Sequence, residues 1–73
     1  FEEGEAALKK AIALAPDVMR HHYELAVLYL DWDRKDDAKE VLEVAATLPV
    51  RVAIDRPRLA RIKELLASLN NSQ

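Results

Sequence analysis

Apolar side chains recur along this chain at the spacing of an α-helix four times over. The sets are Leu8, Ala11, Ile12 and Ala15; Leu25, Leu28 and Tyr29; Ala38, Val41, Leu42, Ala45 and Leu48; and Leu59, Ile62, Leu65, Leu66 and Leu69. The spacing predicts helices over about residues 2–14, 18–31, 34–47 and 57–69. Boundary signals agree with this division. Pro16 and Asp17 stop the first helix and offer Asp17 as N-cap to the second. Asp33, followed by Asp36, caps the third, and Pro49 ends it. Asp55 before Pro57 gives the fourth an N-cap and an early proline whose missing N–H is harmless. The polar residues 70–73 read as a fraying tail.

One stretch is apolar all round: residues 25–30, LAVLYL. Glu24 and Asp31 bracket it, and it falls far short of the roughly 20 residues that span a bilayer, so it reads as a core segment. A helix apolar on more than one face is one clamped between neighbours. The joint at 48–56 contains a strand-like alternation, VRVAI. A lone strand has nothing to pair with, so an extended loop packing Val50, Val52 or Ile54 onto the core is expected.

The sequence also repeats. A shift of 34 places Gly4 on Ala38, Leu8 on Leu42, Ala11 on Ala45, Leu14 on Leu48, and the pair Leu25-Ala26 on Leu59-Ala60. His22-x2-Leu25-Ala26-x2-Tyr29, then Ala38-x3-Leu42 and Ala45, form one full unit, and Gly4-x3-Leu8, Ala11 and Pro16 form the second half of the unit before it. With this period and these positions the chain resembles the tetratricopeptide repeat family, whose 34-residue unit is a pair of helices. His22 stands where the family prefers Trp, Lys35 where an aromatic is usual, Lys63 where Tyr would be, and Pro49 comes one residue early.

The resemblance implies an all-α fold: four antiparallel helices stacked as helix-turn-helix units of an α-solenoid, ending in a capping helix. As one domain, residues 1–16 would be the second helix of a repeat, 17–50 a full repeat, 51–69 a loop with a degenerate capping helix, and 70–73 a tail. Small residues at Gly4, Ala26, Ala38 and Ala60 would let helices cross closely. The chain opens at Phe1 directly in a helical pattern, which reads as the C-terminal fragment of a longer repeat protein.

Composition narrows the chemistry. The 73 residues are 51% hydrophobic but 5% aromatic, with one Gly and no Cys, so disulfides and thiolate metal sites are excluded. Residues 1–46 carry 11 acidic and 6 basic side chains, net -5, whereas 47–73 carry 2 and 5, net +3. A basic end can steer an acidic partner, though a solvated helix face carries the same signature. Arg51, Arg56, Arg58, Arg61 and Lys63 have no aromatics interleaved for base stacking, which points away from nucleic acid. Adjacent His21 and His22 lie about 100° apart on a helix rather than on one face, so they read as packing (His22) and surface (His21) residues. Asp31, Asp33, Lys35 and Asp37 echo a calcium loop, but Asp36 and Leu42 stand where it needs Gly and a bidentate acid. No nucleophile sits in a motif, and the expectation is a non-enzymatic chain with no cofactor and no membrane span.

Such arrays hold a peptide or partner helix on the concave face formed by the first helices of each pair. Here that face implies Arg20, Tyr23, Glu24, Val27 and Asp31, opposite Arg58 and Arg61, with an acidic or amphipathic protein segment as partner. Arg58 also falls in register with the Arg of a carboxylate clamp found in some members, but Glu24 and Ile54 replace its Asn and Lys. Trp32, in the turn after the second helix, is either a ring folded back over the hairpin end or an anchor for another protein. The alternative to a binding module is a structural cap of a longer array, with self-association through the exposed face of helix 1.

Overall fold

A computed structural model describes residues 1–71 of the chain. These form four helices, α1 (Glu2–Leu14), α2 (Met19–Asp31), α3 (Lys35–Ala45) and α4 (Asp55–Asn71), with no strand among the described residues. The protein is all-α.

Helix α2 is the hub, touching α1, α3 and α4. Its apolar run is divided between two clusters. Leu25 and Tyr29 join Ala38 of α3 and half-buried Leu8 and Ile12 of α1, while Met19 and Ala26 join Leu42 and Ala45 of α3 and Ile62 of α4. Ala26, Ala38, Leu42, Ala45 and Ile62 are completely enclosed. This explains residues 25–30: the two sides of one helix face different partners, so a single apolar stripe would leave one cluster without its share. Val41 and Leu69 reach both clusters and tie them together.

His22 is buried in this packing, with Nε2 2.7 Å from the Pro16 carbonyl oxygen. A carbonyl oxygen only accepts, so the ring nitrogen carries the proton and the bond anchors the α1–α2 turn. His21, expected to point outward, is half-buried, and its enclosed Nδ1 meets no hydrogen-bond partner among the described residues.

The helix ends depart from the expected caps. Val18, not Asp17, is the N-cap of α2, and it makes no side-chain cap bond. Asp33 belongs to the end of α2 rather than the start of α3. Its φ is 56°, its N–H donates to the Leu30 carbonyl at 3.1 Å, and the Arg34 N–H donates to the Tyr29 carbonyl at 2.8 Å. That pair of bonds around a left-handed residue is the Schellman closure of a helix C-terminus.

Asp55 opens α4 but faces backward. Its Oδ2 accepts from the Arg51 and Val52 N–H groups at 3.3 and 3.4 Å, and its Oδ1 accepts from Arg58 Nη1 at 3.0 Å. The carboxylate thus satisfies the preceding loop, and its near-complete burial is matched by these three donors.

The loop also corrects the packing expectation. Val50, Val52 and Ile54 are 40%, 55% and 58% exposed and do not join the core. Turn bonds from Asp55 to the Val52 carbonyl and from Arg56 to the Ala53 carbonyl curl this stretch instead of extending it inward. Asn70 and Asn71, assigned to a tail, continue α4; Ser72 and Gln73 lie outside the described residues. Ala60 is exposed, since among the described residues no helix covers that side of α4. Gly4 is half-buried, and a Cβ there would meet Leu28 at an ordinary 3.5 Å, so closeness of approach does not require glycine.

Candidate peptide-binding groove

Helices α2 and α4 meet only in part, and the seam between them opens into two adjoining grooves that share Ile54 and Arg58. The larger, of about 600 Å³, runs between the start of α2 and the 48–56 loop; its walls include Val18, Arg20, Arg51 and Val52. The smaller, of about 230 Å³, continues along α4 between Tyr23, Pro57 and Arg61.

Of the residues singled out from the sequence, Arg20, Tyr23, Arg58 and Arg61 are therefore brought together. Tyr23 packs its half-buried ring on the α2–α4 cluster and borders the groove. Glu24 reaches the rim through Arg20, 3.7 Å away and one helical turn back. Half-buried Val27 and exposed Asp31 lie along α2 outside the two grooves.

Trp32 lies elsewhere. Its half-buried ring is folded back over the end of the α2–α3 pair, stacked on Phe1 with centroids 5.5 Å apart, and the Arg34 guanidinium sits 4.5 Å from its centroid. Phe1 and Arg34 thus lie against an indole that a partner would otherwise reach.

Each groove arginine has an acidic companion. Arg51 pairs with Asp17, Arg58 with Asp55 at 3.0 Å, Arg61 with Glu64 at 3.1 Å and Arg20 with Glu24. The Glu64 carboxylate, with a further contribution from Tyr23, holds the Arg61 proton more tightly than usual. Positive charge is locally balanced, and each guanidinium has five N–H donors of which one carboxylate occupies at most two or three, leaving the others open to a further acceptor. The Arg20, Arg51 and Arg61 pairs are exposed and contribute at most about 1 kcal/mol each, so an incoming carboxylate can exchange for the resident one there, whereas Asp55 is buried and keeps Arg58.

Sequence reasoning missed Asp17, Arg51 and Asp55. Asp17 and Arg51 are 34 residues apart, the offset at which the sequence pattern recurs, which is the available signal. Asp55 is masked because a helix-start acid reads as a cap.

A second concavity, about 360 Å³, separates α1 from α3 and is lined by Ile12, Leu25, Val41 and Val44 with Lys9 and Glu40 at its rim. Beside it a polar cluster binds α1 to the rest. The Tyr29 hydroxyl donates to Glu5 Oε2 at 2.6 Å, with Lys9 Nζ 3.4 Å and Arg34 Nη1 3.5 Å from the same oxygen. The Tyr29 bond, aided by the two cations, holds the Glu5 carboxyl below the usual carboxylate range. Burial, then Glu5, pushes the Tyr29 hydroxyl up.

Among the described residues no three His, Asp or Glu side chains are grouped to hold a metal ion, and no helix is long and apolar enough to cross a membrane. Comparison of the chain with protein-family models, with curated proteins and with solved structures gives no match.

Proposed function

We propose that the chain is a protein-interaction module of the tetratricopeptide-repeat kind, its helices stacked antiparallel, which holds an amphipathic segment of another protein in the α2–α4 seam. The observation that carries this reading is the composition of the groove wall: exposed Val52 and Ile54 lie beside Arg51 at one end of its edge and Arg61 at the other. A segment with apolar residues on one side and carboxylates on the other would cover the first and exchange with Asp17 and Glu64 at the second. Aliphatic side chains this exposed lose apolar surface to water on binding, which favours association by about 25 cal/mol per Å² covered.

The test is titration of a fluorescent library of amphipathic acidic helical peptides into the chain. Arg61→Glu and Ile54→Asp alter exposed positions and should leave the fold intact while weakening binding about tenfold each. Binding that neither substitution changes would remove the groove from the account. Arg58 is a poorer probe, because Glu there would face the buried Asp55 carboxylate.

A second reading, a structural cap with no binding site of its own, draws on α4. Only Asp55 and Ile62 of its 17 residues are buried, and exposed Lys63 and Glu64 lie on its outer surface. That polar side suits a helix that ends a stack. Peptide titration silent across the whole library would favour it.

A further inference from the structure

Helices α1 and α4 each present one side of a helix–helix contact that the middle of the chain makes in full. In the middle, α2 and α3 make the most extensive helix–helix contact, burying Leu25, Ala26 and Tyr29 against Ala38, Leu42 and Ala45. One 34-residue step onward, α4 carries Leu59, Ala60 and Lys63 at the places of the first three; Leu59 is half-buried, and Ala60 and Lys63 are exposed. One step back, α1 carries Gly4, Leu8 and Ala11 at the places of the second three, and all are only half-buried. No residue of α1 is buried, and Leu14, the counterpart of half-buried Leu48, is 78% exposed.

We propose that these open faces bind each other between copies of this chain, α4 of one copy taking α1 of the next as α2 takes α3. Charge supports this pairing independently of shape. In the α2–α3 contact Tyr29 lies against the start of α3, its carbonyl accepting from the Arg34 N–H and its ring 4.9 Å from the Arg34 guanidinium. Lys63, standing in for Tyr29, would come to the start of the neighbour's α1, where Glu2 and Glu3 are exposed in the first turn. Helix α4 is basic on balance, with Arg56, Arg58, Arg61 and Lys63 against Asp55 and Glu64, and this sign favours the acidic first turn of α1. The contact joins two different surfaces, so it does not close on itself as a twofold dimer would; copies add in a line.

Sedimentation velocity of the 73-residue chain at rising concentration tests this. The average mass should climb past that of a dimer without a plateau, and the association should weaken between about 0.05 and 0.5 M salt. Ala60→Arg blocks the face from an exposed position, and Lys63→Glu sets acid against acid. Each should leave helicity unchanged and lower the association constant about tenfold or more. Mixing Lys63→Glu with a Glu2→Lys/Glu3→Lys chain should restore part of the loss. Because the chain lacks cysteine, Ala60→Cys mixed with Gly4→Cys should form a disulfide faster than either variant alone. A chain that stays monomeric to about 1 mM would overturn the proposal. So would association indifferent to Ala60→Arg, or a plateau at a dimer in which Ala60→Cys crosslinks to itself.

Discussion

Asp33 holds φ at 56° so that α2 can close and α3 can begin. A left-handed backbone disfavours any side chain with a Cβ, and Gly is the residue that most often fills this place. The relief of the left-handed cost outweighs the extra chain entropy of glycine, so Asp33→Gly should stabilise the fold by up to about 1 kcal/mol, seen as a rise in the urea midpoint with unchanged slope; a fall would mean that the carboxylate has a role at the turn beyond its backbone. Tyr29 and Glu5 act differently, through protonation. Glu5 is held below its ordinary value in the folded chain, chiefly by the Tyr29 hydroxyl, so its contribution is full above about pH 5 and is lost as pH falls through the lowered value. Tyr29, raised by burial and by Glu5, contributes stability that is complete below its ordinary value and is lost as pH climbs through the raised one. Melting curves of the parent and Glu5→Gln should lie apart at pH 7 and converge in acid. Tyr29→Phe should remove the alkaline decline, and parallel profiles for all three chains would show that the cluster is electrostatically idle.

At the scale of the element, α1 is the most loosely held helix: nothing in it is buried, and it is fastened by half-buried Leu8 and Ile12 and by the Glu5 cluster. Gly4 adds intrinsic weakness. Since a Cβ there meets Leu28 at an ordinary contact distance, Gly4→Ala should gain about 0.5 to 1 kcal/mol from helix propensity, read as slower amide exchange confined to α1. The opposite holds at Ala26, which is wholly enclosed where α2 faces α3 and α4. Ala26→Leu should overpack the crossing at a cost of about 1 to 3 kcal/mol, and an unchanged melting temperature would contradict the helix register. Helices were legible from the sequence because 3.6-residue periodicity is set by burial, and burial is what Leu8, Leu25, Leu42 and Ile62 were chosen to satisfy. Caps were less legible. Asp17, Asp33 and Asp55 are all acids at helix starts, but one forms an ion pair with a residue 34 positions on, one closes the previous helix and one binds loop amides. The distinction lies in backbone angles and neighbours that composition does not encode. Val52 and Ile54 misled for the same reason: hydrophobicity alone predicts burial, while the turn at 52–56 decides which way the loop faces.

Across the whole molecule, the two hydrophobic clusters share Val41 and Leu69 and are both built on α2, so neither can dissolve while α2 remains packed. A chain of 73 residues has a total stability of roughly 4 to 11 kcal/mol, and it cannot divide that between independent units. Ile62 tests the coupling. It is completely enclosed at the α4 side, whereas Trp32 packs against the other cluster, stacked on Phe1 beside Tyr29. Ile62→Ala should destabilise by about 2 to 5 kcal/mol, a large fraction of the total. If folding is all-or-none, the loss appears equally in Trp32 fluorescence and in far-ultraviolet circular dichroism, although the substitution lies in the other cluster. If instead α4 peels away first, the helical signal falls at lower urea while the tryptophan signal keeps the parent midpoint. The shared residues favour the first outcome, because removing α4 uncovers Ala26 and Leu42 and withdraws Leu69 from the Trp32 cluster at once.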